Sequence, residues 1–167
     1  MPHKMGVKLE KRFKKNKHVG YFMPEFTFEG TANWKSGTEC DLSIKGKRIA
    51  TVSPPPEFGG KPGYCVPEEI FTASLASCIN TLFLLIAKNS NLGLKGLETK
   101  AMLKMNAESL EKLILTNIHF NMQVKLEKDN ERERKKTESV FRIAQKICPL
   151  RQSWGEKVPI SFELNFQ

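Results

Sequence analysis

The sequence contains little cysteine and histidine. Four cysteines, at positions 40, 65, 78 and 148, and three histidines are present among 167 residues. The cysteines have neither the paired CxxC spacing of zinc ligands nor the density of a disulfide-stapled secreted domain. We therefore expect no metal and no cofactor, and the thiols must act either as thiols or as packing groups.

The sequence also lacks a long uninterrupted apolar run. Its N-terminus has no apolar segment of the kind found in signal peptides. The most apolar window, residues 70–87, carries polar side chains on several faces of a helix, at Thr72, Ser74, Ser77, Asn80 and Thr81. A membrane span of about 20 predominantly apolar residues is not expected. The cytoplasm, where thiols stay reduced, is the expected compartment.

Acidic residues are scarce relative to basic ones, 18 against 27, and the net charge is +9. Residues 1–20 hold seven basic residues and one acidic residue, so this segment alone carries +6. We expect a basic N-terminal extension over residues 1–20 and a single domain over residues 21–167. The extension could contact an anionic surface. No zinc finger, helix-turn-helix or RNA-reading motif accompanies it, so nucleic acid is not the expected partner.

The rest of the chain alternates between strand and helix patterns. Bulky residues alternating with polar ones predict two or three antiparallel strands over residues 20–53, followed by a loop rich in proline and glycine at residues 54–67. A hairpin from Leu97 with a turn near residues 109–112, a helix ending near Cys148 and a last strand complete the order. With little room for parallel crossovers, this order predicts an α+β fold with antiparallel sheets.

A long helix is predicted between the first strands and the hairpin. Pro67 suits the first turn, and Glu68 and Glu69 follow where the helix dipole favours carboxylates. The helix is expected to extend to about Lys88, and its apolar residues cover nearly the whole circumference. It must therefore be buried on most sides. Because one subunit of this size cannot easily achieve that, we expect a homodimer in which two such helices pack together.

Two of the four cysteines have settings that suggest more than packing. Cys78 lies about three turns into the long helix, where the dipole is largely spent, so a reactive thiol there needs a nearby cation. Cys148 precedes Pro149 and is predicted to cap a further helical turn, whose free N–H groups would favour a thiolate. A packing role stays open for both. Cys40 and Cys65 have no comparable setting and are interpreted as incidental.

The residues around these two cysteines resemble two motifs of one family. "PEEIFTASLASCINTLFL", residues 67–84, resembles the motif of the OsmC/Ohr family, the osmotically inducible and organic hydroperoxide resistance proteins. In that motif a Pro-Glu pair opens the central helix and a peroxidatic cysteine follows ten residues after the glutamate. "AQKICPLRQ", residues 144–152, resembles the second motif, in which an alanine precedes a Cys-Pro pair by four residues.

The resemblance implies a fold, a reaction and a set of site residues. It implies an intertwined homodimer whose antiparallel sheets pack around a buried central helix. It also implies a peroxidase in which Cys78 attacks an organic hydroperoxide and becomes a sulfenic acid. Cys148 then condenses with Cys78 to a disulfide, and a dithiol reductant resets the pair. In the family, a glutamate, here Glu68, holds an arginine against the cysteine thiolate.

The sequence departs from the family pattern at that arginine. Neither a Gly-Gly-Arg turn after the first strand nor an arginine in the loop before the helix is present. Arg48 is the first choice for this role, because a guanidinium can bridge a carboxylate and a thiolate with several donors. The alternatives are four lysines, Lys35, Lys45, Lys47 and Lys61.

Two other functions stay open on the same fold. One is a non-enzymatic binding protein that uses the basic extension for an acidic partner, with both cysteines dispensable. The other is a redox sensor that forms the same disulfide but turns over slowly. The rate of turnover, which separates a sensor from a detoxifying enzyme, does not follow from the sequence.

Overall fold

A computed structural model describes residues 25–109 and 112–167. The basic extension and the predicted domain boundary at residue 21 lie outside these ranges. Residues 25–30 carry no helix or strand, and Thr31–Gln167 form one compact unit. Its elements, in chain order, are strands β1 (Thr31–Ser36), β2 (Glu39–Ile44) and β3 (Lys47–Val52), helix α1 (Pro67–Asn89), strands β4 (Leu94–Ser109) and β5 (Lys112–Leu126), helices α2 (Glu131–Ile147) and α3 (Pro149–Trp154), and strand β6 (Ile160–Phe166).

The first three strands form an antiparallel meander of their own. Its second turn uses Lys45 and Gly46, both with positive φ, which suits a tight hairpin connection. Cross-strand partners show which residues share a face: Trp34, Cys40 and Val52 lie side by side on one face, and Ala32, Leu42 and Ala50 lie beside them. Asn33, Asp41 and Thr51 lie on the other. One face of this sheet is thus apolar and the other is polar.

The loop after β3 is attached to this sheet by polar contacts. The backbone N–H of Lys61 donates to the buried Ser53 hydroxyl at 2.8 Å, and Lys61 Nζ lies 3.0 Å from the Glu39 carboxylate. The hydrogen bond from Lys61 lowers the pKa of Glu39, which stays ionised although the residue is only 5% exposed. Together with the backbone bridge between Val52 and Cys65, these contacts hold the loop against the sheet before the chain enters α1.

The second sheet has the order β4-β5-β6. β4 and β5 are antiparallel, as the predicted hairpin requires, but β6 runs parallel to β5. The prediction of purely antiparallel sheets is therefore wrong for this pair. The reason is that α2 and α3 together form a crossover long enough to return the chain to the same end of the sheet, where β6 can only join in the parallel sense.

The hydrophobic core lies between α1, the second sheet and α2. Asn130 caps the start of α2, and its side chain accepts the Glu133 N–H at 3.0 Å. From α2, Phe141 meets Phe162 of β6 edge-on, with ring centroids 6.2 Å apart. The fully buried side chains at the centre are Leu75, Ile79 and Phe83 of α1, Ile118, Met122 and Val124 of β5, and Val140 and Ala144 of α2. Both helices and the middle strand therefore meet in one continuous core.

One prediction about α1 is not met within a single subunit. The helix was expected to be buried on most sides, yet Leu84 and Leu85 are 46% and 57% exposed. By length and composition α1 would also suit a membrane span, but it contributes five buried residues to the core. In this fold α1 is a core helix with one uncovered face.

Candidate active site

Helix α1 begins with a proline and a carboxylate cap. Pro67 takes the first helical position, and the Glu69 carboxylate accepts the N–H of Val66 at 3.0 Å. This cap satisfies one of the free N–H groups that a helix start leaves. From this fixed start, Cys78 comes three turns later, on the side of α1 that packs on α2 and α3.

The structure brings Cys78 and Cys148 together. Cys148 lies at the junction of α2 and α3, where it ends one helix and precedes the other. Its thiol lies close enough to that of Cys78 to raise the pKa of Cys78. Cys148 is only 2% exposed, whereas Cys78 is half-buried. Two sulfur atoms seventy positions apart in the chain therefore share one site.

The surroundings of Cys78 favour the thiol over the thiolate. Burial in the protein interior raises the pKa of Cys78, and the neighbouring Cys148 thiol raises it further. Among the residues that the structure describes, no cation acts on this pKa. A thiolate nucleophile at Cys78 thus needs a positive group other than those of residues 25–109 and 112–167 of its own subunit as placed here.

The predicted capping role of Cys148 is only partly right. Cys148 does occupy the N-cap of α3, with Pro149 at the first helical position, but its side chain makes no capping hydrogen bond. The sulfur lies beside Cys78 instead of accepting the N–H groups of α3. The pairing with Cys78, and not the helix start, therefore defines the environment of Cys148.

Arg48 lies elsewhere in the subunit. On β3 its guanidinium donates to Thr51 Oγ1 at 3.1 Å and lies 3.6 Å from the Asp41 carboxylate, on the polar face of the first sheet. Lys61 is paired with Glu39 on the same sheet. Within one subunit the structure does not join Arg48 to Cys78, so the predicted role of Arg48 depends on a second copy of the chain.

Glu68 borders an open groove and not the sulfur pair. The groove has a volume of about 790 Å³ and runs between α1 and β4, lined mainly by small residues of the helix and apolar residues of the strand: Ala73, Ala76, Ser77, Ala101, Leu103 and Met105. At about 100° per residue, Ala76 and Cys78 point to nearly opposite sides of α1. Glu68 is half-buried at one end of this groove, about 15 Å along the helix from Cys78.

An aromatic contact between α1 and α3, about two helical turns from Cys78, was not predicted. Phe71 of α1 and Trp154 of α3 have ring centroids 5.3 Å apart with planes inclined at 40°. The spacing of the residues in the sequence could have indicated this contact. Phe71 precedes Cys78 by two helical turns, and Trp154 follows Cys148 by six residues, which is a similar helical length.

The two remaining cysteines flank the same strand. Cys40 pairs with Val52 across β2 and β3, and Cys65 forms a bridge to Val52 from the other side. Two strand spacings separate them by roughly 10 Å, beyond the Cα distance of about 7 Å that a disulfide can span. No group of three His, Cys, Asp or Glu side chains suited to a metal is found within residues 25–109 and 112–167.

Comparison with known proteins identifies the family. A sequence profile described as OsmC-like protein matches residues 60–163, which include α1, Cys78 and Cys148. The chain belongs to the OsmC family. No protein with a curated description matches the sequence.

Solved structures share the OsmC fold at low sequence identity. An OsmC-like protein of unknown function from Vibrio cholerae is 18% identical with a TM-score of 0.71, covering 84% of this chain and 99% of that one. An OsmC-like protein from Mycoplasma pneumoniae is 14% identical with a TM-score of 0.68, covering 86% and 98%. An organic hydroperoxide resistance protein from Elizabethkingia anophelis is 16% identical with a TM-score of 0.64, covering 87% and 98%. At these identities the likeness establishes the α+β fold with its two small sheets and central helix.

Proposed function

We propose that this OsmC-family protein is a thiol peroxidase that reduces organic hydroperoxides in the cytoplasm. The observation that carries the proposal is the adjacency of the Cys78 and Cys148 thiols, one half-buried and one buried. The names of structural neighbours from Elizabethkingia anophelis and Legionella pneumophila, both organic hydroperoxide resistance proteins, support the substrate class.

The proposed reaction proceeds through three balanced steps. The Cys78 thiolate attacks the distal peroxide oxygen, the O–O bond breaks, and the alkoxide takes a proton to leave as an alcohol. Cys148 then attacks the resulting sulfenic acid, and the Cys78–Cys148 disulfide forms with release of water. A dithiol reduces this disulfide by two exchange steps and becomes oxidised itself. No metal or other cofactor takes part.

We further propose that the active protein is a homodimer. Three surfaces of the described subunit favour a second copy: the apolar face of the first sheet, on which Trp34 is 75% exposed, the groove along α1, and the outer edges of β1 and β4. An exposed sheet edge offers unpaired backbone groups to another chain. One event, association with a second copy, would cover all three.

The dimer would also supply the positive charge that a Cys78 thiolate needs. Cys78 has a raised pKa and lacks a cation within the described subunit, so attack on a peroxide at neutral pH needs one from outside. We propose that a basic residue of the first sheet reaches the site across the dimer, with Arg48 as the first candidate and Glu68 holding it. The lysines at positions 35, 45, 47 and 61 are the alternatives.

Peroxide consumption tests the proposal directly. We expect the protein to consume tert-butyl hydroperoxide with dithiothreitol, and Cys78→Ser to lower the rate at least a thousandfold because the nucleophile is lost. Cys65→Ser is the matched control and should keep wild-type turnover. Cys148→Ser should accumulate a sulfenic acid at Cys78, detected by dimedone labelling and mass spectrometry. Turnover retained in Cys78→Ser would exclude the proposed reaction.

A slow redox sensor is the second candidate, favoured by the raised pKa of Cys78. It predicts the same disulfide after exposure to peroxide but a single slow oxidation in place of rapid turnover. Stopped-flow measurement of Cys78 oxidation distinguishes the two functions. A second-order rate constant close to that of a free thiol would favour the sensor.

A further inference from the structure

Helix α3 contacts α1 at both of its ends. At its start, Cys148 adjoins Cys78, and at its last residue, Trp154 packs its ring on Phe71. Phe71 lies seven residues before Cys78, which is about 10.5 Å along the helix axis, and the six residues of α3 span about 9 Å. The two lengths are similar, so this short helix can contact α1 both at the sulfur pair and at the aromatic pair.

Besides these two contacts, α3 packs Leu150 against the hydrophobic core and holds the Arg151 guanidinium 5.8 Å from the centre of the Phe162 ring. None of its residues is fully buried. Its side-chain hydrogen bonds are exposed to solvent, such as the one from Gln152 Nε2 to the Lys146 carbonyl at 3.0 Å. A helix of six residues is not stable by itself in water, so its position depends on tertiary contacts. Phe71 and Trp154 are both packed against the hydrophobic core. Their contact restrains the end of α3 that lies away from Cys148.

We propose that Phe71 and Trp154 are positioning residues for the Cys78–Cys148 couple. Their contact fixes α3 against α1 and thereby holds the Cys148 thiol against Cys78. A disulfide requires an S–S distance near 2.05 Å and a narrow range of Cβ separations. A small displacement of Cys148 therefore lowers the effective concentration of its thiol at Cys78, and with it the tendency of the two thiols to form a disulfide. This inference rests on the proposed function in taking these two thiols as the reacting pair.

Equilibration with glutathione measures that effective concentration. The reduced protein and glutathione disulfide give the protein disulfide and two molecules of reduced glutathione, so the reaction balances without further reagents. We expect Trp154→Ala to lower the equilibrium constant for disulfide formation roughly tenfold, the scale of one lost aromatic contact. For a two-electron couple this is a shift of about 30 mV. Trp154→Phe, which keeps an aromatic ring, should restore most of the wild-type value.

A control must separate positioning from general loss of stability. Phe166→Ala removes a partly buried ring on β6 whose aromatic face meets Arg134 and not α3. It should destabilise the fold by a comparable amount while leaving the equilibrium constant within about twofold of wild type. Phe71→Leu provides a second variant on the opposite side of the aromatic contact and should shift the equilibrium in the same direction as Trp154→Ala.

A second readout does not involve the disulfide. In a Cys78→Ser background, Cys148 is the buried thiol at the base of α3, and iodoacetamide reaches it only when α3 moves. We expect Trp154→Ala in that background to accelerate alkylation of Cys148 about tenfold, and Trp154→Phe to leave it nearly unchanged. Peptide mass spectrometry distinguishes Cys148 from Cys40 and Cys65.

The outcomes separate this inference from the proposed function. If Trp154→Ala changes neither the glutathione equilibrium nor the alkylation of Cys148, or if Phe166→Ala changes both equally, the positioning role is wrong, whatever the peroxidase activity. If the wild type consumes no peroxide but both readouts respond to Trp154→Ala and recover in Trp154→Phe, the positioning role stands and the peroxidase proposal fails.

Discussion

The two sheets of this protein differ in how much of their surroundings one subunit provides. The second sheet is covered by α1 and α2, and Ile118, Phe120 and Met122 of its middle strand are at most 2% exposed. Every residue of β1 in the first sheet is exposed, and the apolar face of that sheet carries an exposed Trp34. The second region contains a complete core, whereas no part of residues 25–109 or 112–167 fully covers the apolar face of the first sheet.

The two groups that the proposed reaction needs, the sulfur pair and a cation, lie in different regions of the subunit. Cys78, Cys148, Phe71 and Trp154 all belong to the region with the complete core, so the geometry of the sulfur pair is set within one subunit. The candidate cation Arg48 belongs to the first sheet. Under the proposed function, the ionisation of Cys78 would depend on where a second copy of the chain places that sheet.

The largest expected effect concerns stability and tests the asymmetry itself. Phe83 is fully buried at the centre of the second region, and Phe83→Ala should lower the free energy of unfolding by about 3–5 kcal/mol, because it leaves a cavity. Trp34→Ala, measured at concentrations where the chain is monomeric, should change it by no more than about 0.5 kcal/mol. Urea denaturation followed by circular dichroism gives both values. Equal losses would mean that the two regions share one core.

The next effect concerns association. Trp34→Glu places a charge on the uncovered apolar face and should weaken the proposed dimer by about 2 kcal/mol or more, since buried tryptophans are common anchors of interfaces. Sedimentation velocity over a concentration series measures the dissociation constant. Ile143→Glu, a similar change on the outer side of α2, is the matched control and should leave it unchanged. A Trp34→Glu protein that dimerises like the wild type would place the interface elsewhere.

The smallest effect concerns the ionisation of Cys78. Because burial and the Cys148 thiol both raise its pKa in the subunit, we expect alkylation of Cys78 in dilute, monomeric protein to accelerate only at alkaline pH. Cys148→Ala removes one of the two causes, so the midpoint should move to lower pH. At concentrations that favour the dimer the midpoint should fall further, below that of a free cysteine. A midpoint that does not depend on concentration would contradict a cation supplied across the dimer.

Much of the local structure follows from short-range patterns. Pro67 with its two carboxylates predicts the start of α1, and the predicted end at Lys88 differs by one residue from the observed end at Asn89. The alternation in residues 113–124 predicts β5, and Cys148 before Pro149 predicts the start of α3. These features depend on neighbouring residues, whose preferences can be interpreted without knowledge of the fold.

Features that depend on distant residues were predicted less well. The last strand was expected in an antiparallel sheet, but β6 is parallel to β5, because strand direction depends on the path of the whole crossover. The aromatic contact between Phe71 and Trp154 was not predicted for a similar reason, because it joins residues 83 positions apart in the chain. The two cysteines were linked only because their motifs resemble those of a known family.

The sequence by itself determined the elements of this protein, the two motifs that mark its family and the presence of a thiol in the central helix. These rest on local preferences and on the order of residue types along the chain. Three features became known from the folded chain alone: the two thiols adjoin, Arg48 pairs with Asp41 on the first sheet, and Leu84 and Leu85 of α1 are exposed. The physical reason is that burial and electrostatic environment are created when distant segments pack, and a residue's neighbours in the chain do not specify them.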